Sequence, residues 1–261
     1  MSFLKIDHLH HSYFTPKTAV KALEDISFEV KEGEFISFLG PSGCGKTTLL
    51  SIIAGLMDAT NGTITFSNND RKGSTGYMLQ QDYLFPWKTI EENILLGLKL
   101  MNKLNDETKT EALKLLANMG LEGVEKQYPR QLSGGMRQRA ALARTLAVNP
   151  KLLLLDEPFS ALDYQTKLKL EDLVFQTLKS FRKTAILVTH DIGEAIAMSD
   201  RILLFAAKPG RLHKTFIVPE EMKTLTPFEC RNHQSYSGLF QMIWKELESL
   251  EINYQRDGAP S

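Results

Sequence analysis

Gly40-Pro41-Ser42-Gly43-Cys44-Gly45-Lys46-Thr47-Thr48 follows a short apolar run, Phe35-Ile36-Ser37-Phe38-Leu39. The spacing predicts a strand ending in a tight glycine loop, with a helix opening at Thr47 and continued by Leu49, Leu50, Ile52 and Ile53. Successive backbone N–H groups of Gly40, Pro41, Ser42, Gly43, Cys44, Gly45 and Thr48 (proline excepted) can wrap phosphate oxygens at such a helix N-terminus. Lys46 reaches the terminal phosphates, and the Thr47 hydroxyl can ligate magnesium. Cys44, between two glycines, reads as small loop filler rather than a redox centre.

An acidic partner lies downstream. Leu152-Leu153-Leu154-Leu155 reads as a buried strand, and Asp156 and Glu157 stand at its C-terminal end. Ligands of α/β sheets collect at that end. Asp156 is expected to hold magnesium with Thr47, through water. Glu157, one residue on, is the candidate general base that polarises the attacking water.

A second glycine-rich start, Leu132-Ser133-Gly134-Gly135-Met136-Arg137-Gln138-Arg139, then reads as a helix. Ser133 and the amides of Gly134 and Gly135 are again suited to phosphate. A chain with one phosphate loop gains little from a second in its own site. The two fit one ATP best when they come from different subunits facing head to tail.

These stretches together resemble the ATP-binding cassette (ABC) ATPases, whose signature motif Leu132 to Arg139 matches. The resemblance spans Tyr13 to His190 and implies roles for further residues. His190, after the strand Ile186-Leu187-Val188-Thr189, is similar to the family's switch histidine, which contacts the terminal phosphate. Gln80, ahead of Gln81 by register, resembles the glutamine of a mobile loop and can touch magnesium or the attacking water. Ser160-Ala161-Leu162-Asp163 matches the loop that crosses the dimer interface, although Asp163 could equally cap the helix from Tyr164. Tyr13, chosen over Phe14, stands where the family stacks an aromatic ring on adenine. Tyr83, Leu84, Phe85 and Trp87 are too many large apolar groups for a solvated loop. They are read as a groove for a membrane subunit, with a place in the core as the bland alternative.

The fold expected is α/β. A P-loop nucleoside triphosphatase core with a mostly parallel sheet carries an N-terminal antiparallel β subdomain and a helical subdomain with the signature motif. Strands are expected at 4–9, 26–30, 35–39, 63–66, 75–79, 151–155, 184–189 and 202–206. Helical periodicity covers 90–128, with a polar break from Asn102 to Thr110, and residues 67–74 read as turn-rich. The ATPase domain is assigned to 1–215, its helical subdomain to about 88–148. A C-terminal extension, 216–261, is expected to hold one amphipathic helix through Leu239, Met242, Ile243, Leu247 and Leu250.

Composition narrows the setting. The 261 residues carry 31 basic and 31 acidic side chains, which gives no electrostatic preference for nucleic acid. Two cysteines without metal-ligand spacing fit a reducing compartment. His8, His10 and His11 read as surface or local packing rather than a metal site. No signal peptide is recognised, and no apolar run is long enough for a bilayer. A transport role therefore requires other chains. The resemblance implies a second copy of this chain, two transmembrane permease subunits, an extracellular or periplasmic solute-binding protein, and a peripheral place on the cytoplasmic face of the membrane. Gly40 to Thr48, Leu84-Phe85-Pro86-Trp87 and Ala206-Ala207-Lys208-Pro209-Gly210-Arg211 look like the ATPases of nitrate, sulfonate, taurine and related importers, an architecture that also serves uptake of thiamine precursors. A soluble cassette ATPase without a membrane partner, or an exporter subunit, is the alternative.

Overall fold

The computed structural model describes residues 2–16, 18–67, 75–180 and 182–257. Most of the expected turn at 67–74 lies outside the described residues. The described residues form two sheets. In the smaller, β1 (Ser2–Phe14), β2 (Ala19–Lys31) and β4 (Asn61–Phe66) pair antiparallel in the order β2-β1-β4. The larger has six strands, ordered β5-β6-β7-β3-β8-β9. They are β3 (Phe35–Leu39), β5 (Thr75–Met78), β6 (Leu152–Asp156), β7 (Thr184–Val188), β8 (Arg201–Ala206) and β9 (Arg211–Ile217). All neighbours pair parallel except β8 with β9.

The first hairpin is longer than the expected strands at 4–9 and 26–30. Its polar, His-rich stretch stays in the sheet through register shifts around Leu9, with His8 at φ 45°. Such bulges absorb an extra residue without ending the strand. The His8 ring meets Asp25 at 2.6 Å and the His11 ring meets the Asp58 carbonyl at 3.0 Å, so these histidines serve local packing.

Helix α1 (Lys46–Ile53) leaves the phosphate loop. It stops at Ile53 because Gly55 takes φ 75° and Leu56 N–H returns to the Ser51 carbonyl at 3.0 Å. That is a Schellman-type stop. The helical subdomain holds α2 (Ile90–Leu100), α3 (Asp106–Asn118) and α4 (Gly134–Ala147). Thr89 and Glu92 cap α2 reciprocally, as Asn105 and Thr108 cap α3. The polar break is therefore shorter than Asn102 to Thr110. Its second half is the first turn of α3, where acidic residues suit the helix N-terminus.

Helices α5 (Tyr164–Ser180) and α6 (Ile192–Met198) complete the core. The tail carries more than the single helix expected: α7 (Glu220–Lys223), α8 (Pro227–Arg231) and α9 (Tyr236–Asp257). The boundary drawn between 215 and 216 falls inside β9.

β6 shows how the layers form. Leu153 and Leu155 face the cluster shared with α2, α3, α4 and α5. Leu152 and Leu154 face the opposite cluster, shared with the small sheet and α1. A strand buried on both faces reads as an unbroken apolar run. A third cluster joins Leu39, Ile196 and Leu204 to Leu239 and Ile243 of α9, so the tail helix is docked on the body. Met242 is 53% exposed and is not one of its anchors. Among the described residues, no helix is long and apolar enough to cross a membrane.

Candidate active site

The phosphate loop joins β3 to α1, and its glycines are there for backbone reasons. Gly43 and Gly45 take φ 77° and 86°. A side chain on Gly45 would strike Leu23, and one on Gly210 would lie 2.2 Å from the Cys44 carbonyl. The Pro-Gly-Arg turn between β8 and β9 thus packs directly on the loop. Cys44 is fully buried, and burial pushes its thiol up, which suits filler rather than redox chemistry. The Lys46 ammonium donates to the Gly40 and Pro41 carbonyls at 2.7 and 3.0 Å.

A cleft of about 760 Å³ opens over this loop. Ser42 to Thr48 line it together with Tyr13, Gln80, Glu157 and His190. Tyr13 is held by a 3.0 Å hydrogen bond between its hydroxyl and that of Thr48, and its ring packs edge-on against His11. Phe14 is 73% exposed and lies outside the cleft.

The catalytic candidates converge. Thr47 donates its hydroxyl to Asp156 Oδ1 at 3.2 Å. Asp156 Oδ2 is buried and, among the described residues, accepts no hydrogen bond. Burial pushes the Asp156 carboxyl up, against the pull of the Thr47 hydroxyl and the Lys46 charge. Glu157 stands at φ 49°, a strained position for a non-glycine residue, with its N–H bonded to the Val188 carbonyl. That turn aims its carboxylate at two partners. Gln80 Nε2 donates to Glu157 Oε2 at 3.2 Å, and His190 Nδ1 lies 3.3 Å from Oε1.

Other expected residues lie apart from these. None of Ser133, Gly134 and Gly135 lines the cleft. Ser133 caps α4, accepting from the Met136 N–H at 3.3 Å. Asp163 takes the Asx-cap geometry at α5, accepting from the Thr166 N–H at 3.0 Å. The aromatic loop divides. Tyr83 and Trp87 are 57% and 69% exposed, and Phe85 packs edge-on against Trp87. Leu84 does not belong with them: it is 7% exposed and sits in the core of the helical subdomain. The backbone turns inward there because Asn93 accepts from the Phe85 N–H and donates to the Phe85 and Lys88 carbonyls.

The description "ABC transporter" belongs to the family profile that matches residues 23–160. The chain is 62% identical over 254 residues to the ABC transporter ATP-binding protein YtlC of Bacillus subtilis, covering 96% of this chain and 98% of that protein. The chain belongs to the ABC transporter family. It is an ATP-binding, ATP-hydrolysing subunit of that family. Identity is 41% to the aliphatic sulfonates import ATP-binding protein SsuB of Bacillus licheniformis, over 93% of this chain and 92% of that one. It is 42% to the taurine import ATP-binding protein TauB of Pelagibacter ubique, over 84% of each. Among solved structures, the dimeric, post-hydrolysis ABC protein MJ0796 bound to ADP and Pi superposes with a TM-score of 0.75. Its identity is 34%, covering 83% of this chain and 99% of that one.

The contacts of Gln138 carried no readable signal in the sequence. Gln138, in the signature helix, donates to the Glu157 carbonyl at 3.2 Å and accepts from the Ala161 N–H at 3.1 Å. It ties the helix to the backbone at Glu157 and Ala161. Its place within the signature stretch was visible, but its distant partners were not.

Proposed function

We propose that this chain is the ATPase subunit of an importer for a small anionic or zwitterionic solute of the sulfonate and taurine class. It works as a head-to-tail homodimer held on the cytoplasmic face of the membrane by two permease subunits, with a separate solute-binding protein delivering cargo. The observation that carries the hydrolytic half is the convergence of Gln80 and His190 on Glu157 at the mouth of the phosphate-loop cleft. The relatives named for sulfonate and taurine import support the solute class, because the likeness covers 93% and 84% of this chain.

In this reading Tyr13 stacks on adenine, and Lys46 exchanges the Gly40 and Pro41 carbonyls for the terminal phosphates. Glu157 accepts the proton of the attacking water. His190 and Gln80 orient that water and respond to the terminal phosphate. Thr47, Asp156 and Gln80 form an oxygen-donor set that fits magnesium, and the orphaned Asp156 Oδ2 is a ready acceptor for it. When bound, magnesium supplies charge neutralisation on the phosphates. Ser133, Gly134 and Gly135 face the ATP of the second copy, in keeping with their absence from the cleft of their own chain. Asp163 lies at the dimer interface, and Tyr83, Phe85 and Trp87 meet the permease.

Cysteine crosslinking tests the dimer. Ser42→Cys and Ser133→Cys in separate chains should crosslink between chains when ATP is present in a Glu157→Gln background. Ser42 is preferred to Gly43, whose positive φ disfavours a side chain. A bond formed only within one chain, or none, refutes the head-to-tail site. Uptake of labelled taurine and alkanesulfonates by vesicles holding the assembled transporter tests the solute class, which falls if neither is carried.

A further inference from the structure

We propose that Lys167 is a positioning residue for hydrolysis: it holds His190 in register by clamping the two carboxylates that flank the first turn of α6. This rests on the reading of His190 as the phosphate-sensing histidine.

His190 is poorly held by its own side chain, which is 68% exposed and meets Glu157 at 3.3 Å. Its place is therefore set by the residues on either side. Asp191 caps α6, with Oδ1 accepting from the Gly193 and Glu194 N–H groups at 2.7 and 3.2 Å. Thr189 accepts the Asp191 N–H at 3.0 Å and donates its hydroxyl to Glu194 Oε2 at 2.5 Å. Lys167 closes this ring from α5. Its ammonium lies 2.6 Å from Asp191 Oδ2 and 2.6 Å from Glu194 Oε1. Burial would discharge it, but Glu194 and Asp191 outweigh that and hold it above the ordinary lysine range. A pocket of about 120 Å³ between Glu157, Ser160, Lys167 and His190 places this clamp behind the catalytic carboxylate.

Two further features give the clamp a purpose. Lys167 sits one turn after Asp163, whose carbonyl accepts its N–H at 2.9 Å. A shift of the interface loop is thereby passed to the histidine through a side chain anchored on the same helix. One turn further along α5, fully buried Glu171 is a rival carboxylate at the spacing that suits a lysine. Arg231 of α8 takes Glu171 at 2.7 Å, leaving Lys167 to Asp191 and Glu194. The C-terminal extension thus keeps the clamp assigned to the histidine.

Steady-state ATPase of the purified full chain tests this. Lys167→Met should lower kcat by at least about tenfold while KM for ATP stays within about twofold, the pattern of a lost transition-state arrangement. Lys167→Arg should recover most of the rate, because it restores the cation. Should Lys167→Met fold poorly, Lys167→Met with Glu194→Gln removes one stranded carboxylate and should still be slow. A folded variant of either kind with wild-type kcat overturns the proposal, as does Lys167→Arg no faster than Lys167→Met. His190→Ala, in the same assay, separates the two ideas. If it is inactive while Lys167→Met turns over normally, only the clamp fails. If His190→Ala turns over normally, the histidine's role fails and the clamp with it.

Discussion

Asp82 receives the Arg137 guanidinium at 2.9 Å, so the loop that follows Gln80 is tied to the helix that carries the signature motif. Arg144, two turns along α4, adds hydrogen bonds to the Asp82 and Tyr83 carbonyls at 2.8 Å each. These contacts link the stretch after Gln80, which carries the exposed Tyr83 and Trp87, to the signature helix. Neither arginine touches the nucleotide cleft.

Asp82→Ala should separate hydrolysis from transport. The pair is partly exposed, so its loss costs the free subunit about 1 kcal/mol or less. Hydrolysis by the free subunit should stay near wild type, while uptake per ATP in the assembled transporter falls. Parallel hydrolysis and uptake assays on one preparation check this, and a proportionate loss of both contradicts it.

Glu157→Gln keeps the side-chain shape and removes the base. Turnover should fall by about a hundredfold or more, the scale of a lost general base. ATP binding should persist, and the variant should accumulate as an ATP-bound dimer on size exclusion. A variant that stays monomeric at saturating ATP would sink the two-subunit site.

Leu84 and Trp87 should part company when charged. Leu84→Asp buries an unpaired carboxylate in the helical subdomain and should cost several kcal/mol. Trp87→Asp, at an exposed position, should shift the melting temperature of the free subunit little and instead block assembly with the permease. Thermal unfolding of the free subunits distinguishes them, and equal losses would place Trp87 in the core as well.

Arg231→Met should destabilise the chain in a pH-dependent way. Burial raises the Glu171 carboxyl from 4.5 to about 7 against the pull of Arg231. An acid whose folded pKa is raised contributes stability below its unfolded pKa and loses it as pH rises through the folded one. The stranded charge therefore counts most above pH 7, where the variant should lose about 3–5 kcal/mol. At pH 5 the carboxyl is protonated and the loss should be smaller. Denaturant unfolding at pH 5 and 8 measures the difference, and Glu171→Gln should remove it.

Legibility in the sequence followed the range of the contacts. The phosphate loop uses neighbours only a few residues apart, so its residues stand together in the chain. The N-terminal hairpin was underestimated because a bulge at His8 breaks the alternation without breaking the strand. Leu84 reads with its aromatic neighbours because sequence shows that a loop is apolar, not which of its side chains turns inward. The α7 and α8 segments are too short for a periodicity to show.

The sequence by itself determined the chemistry-bearing groups: consecutive amides and Lys46 for phosphate, Asp156 and Glu157 at a buried strand's end, and Ser133 at a helix start. These depend on the local backbone, which short-range sterics and capping decide. Only the tertiary structure decided how they meet. Gln80 reaches Glu157 across 77 positions of chain, and Lys167 reaches Asp191 across 24. Such contacts depend on strand order and on which helix face is buried, and those follow from packing the whole chain at once.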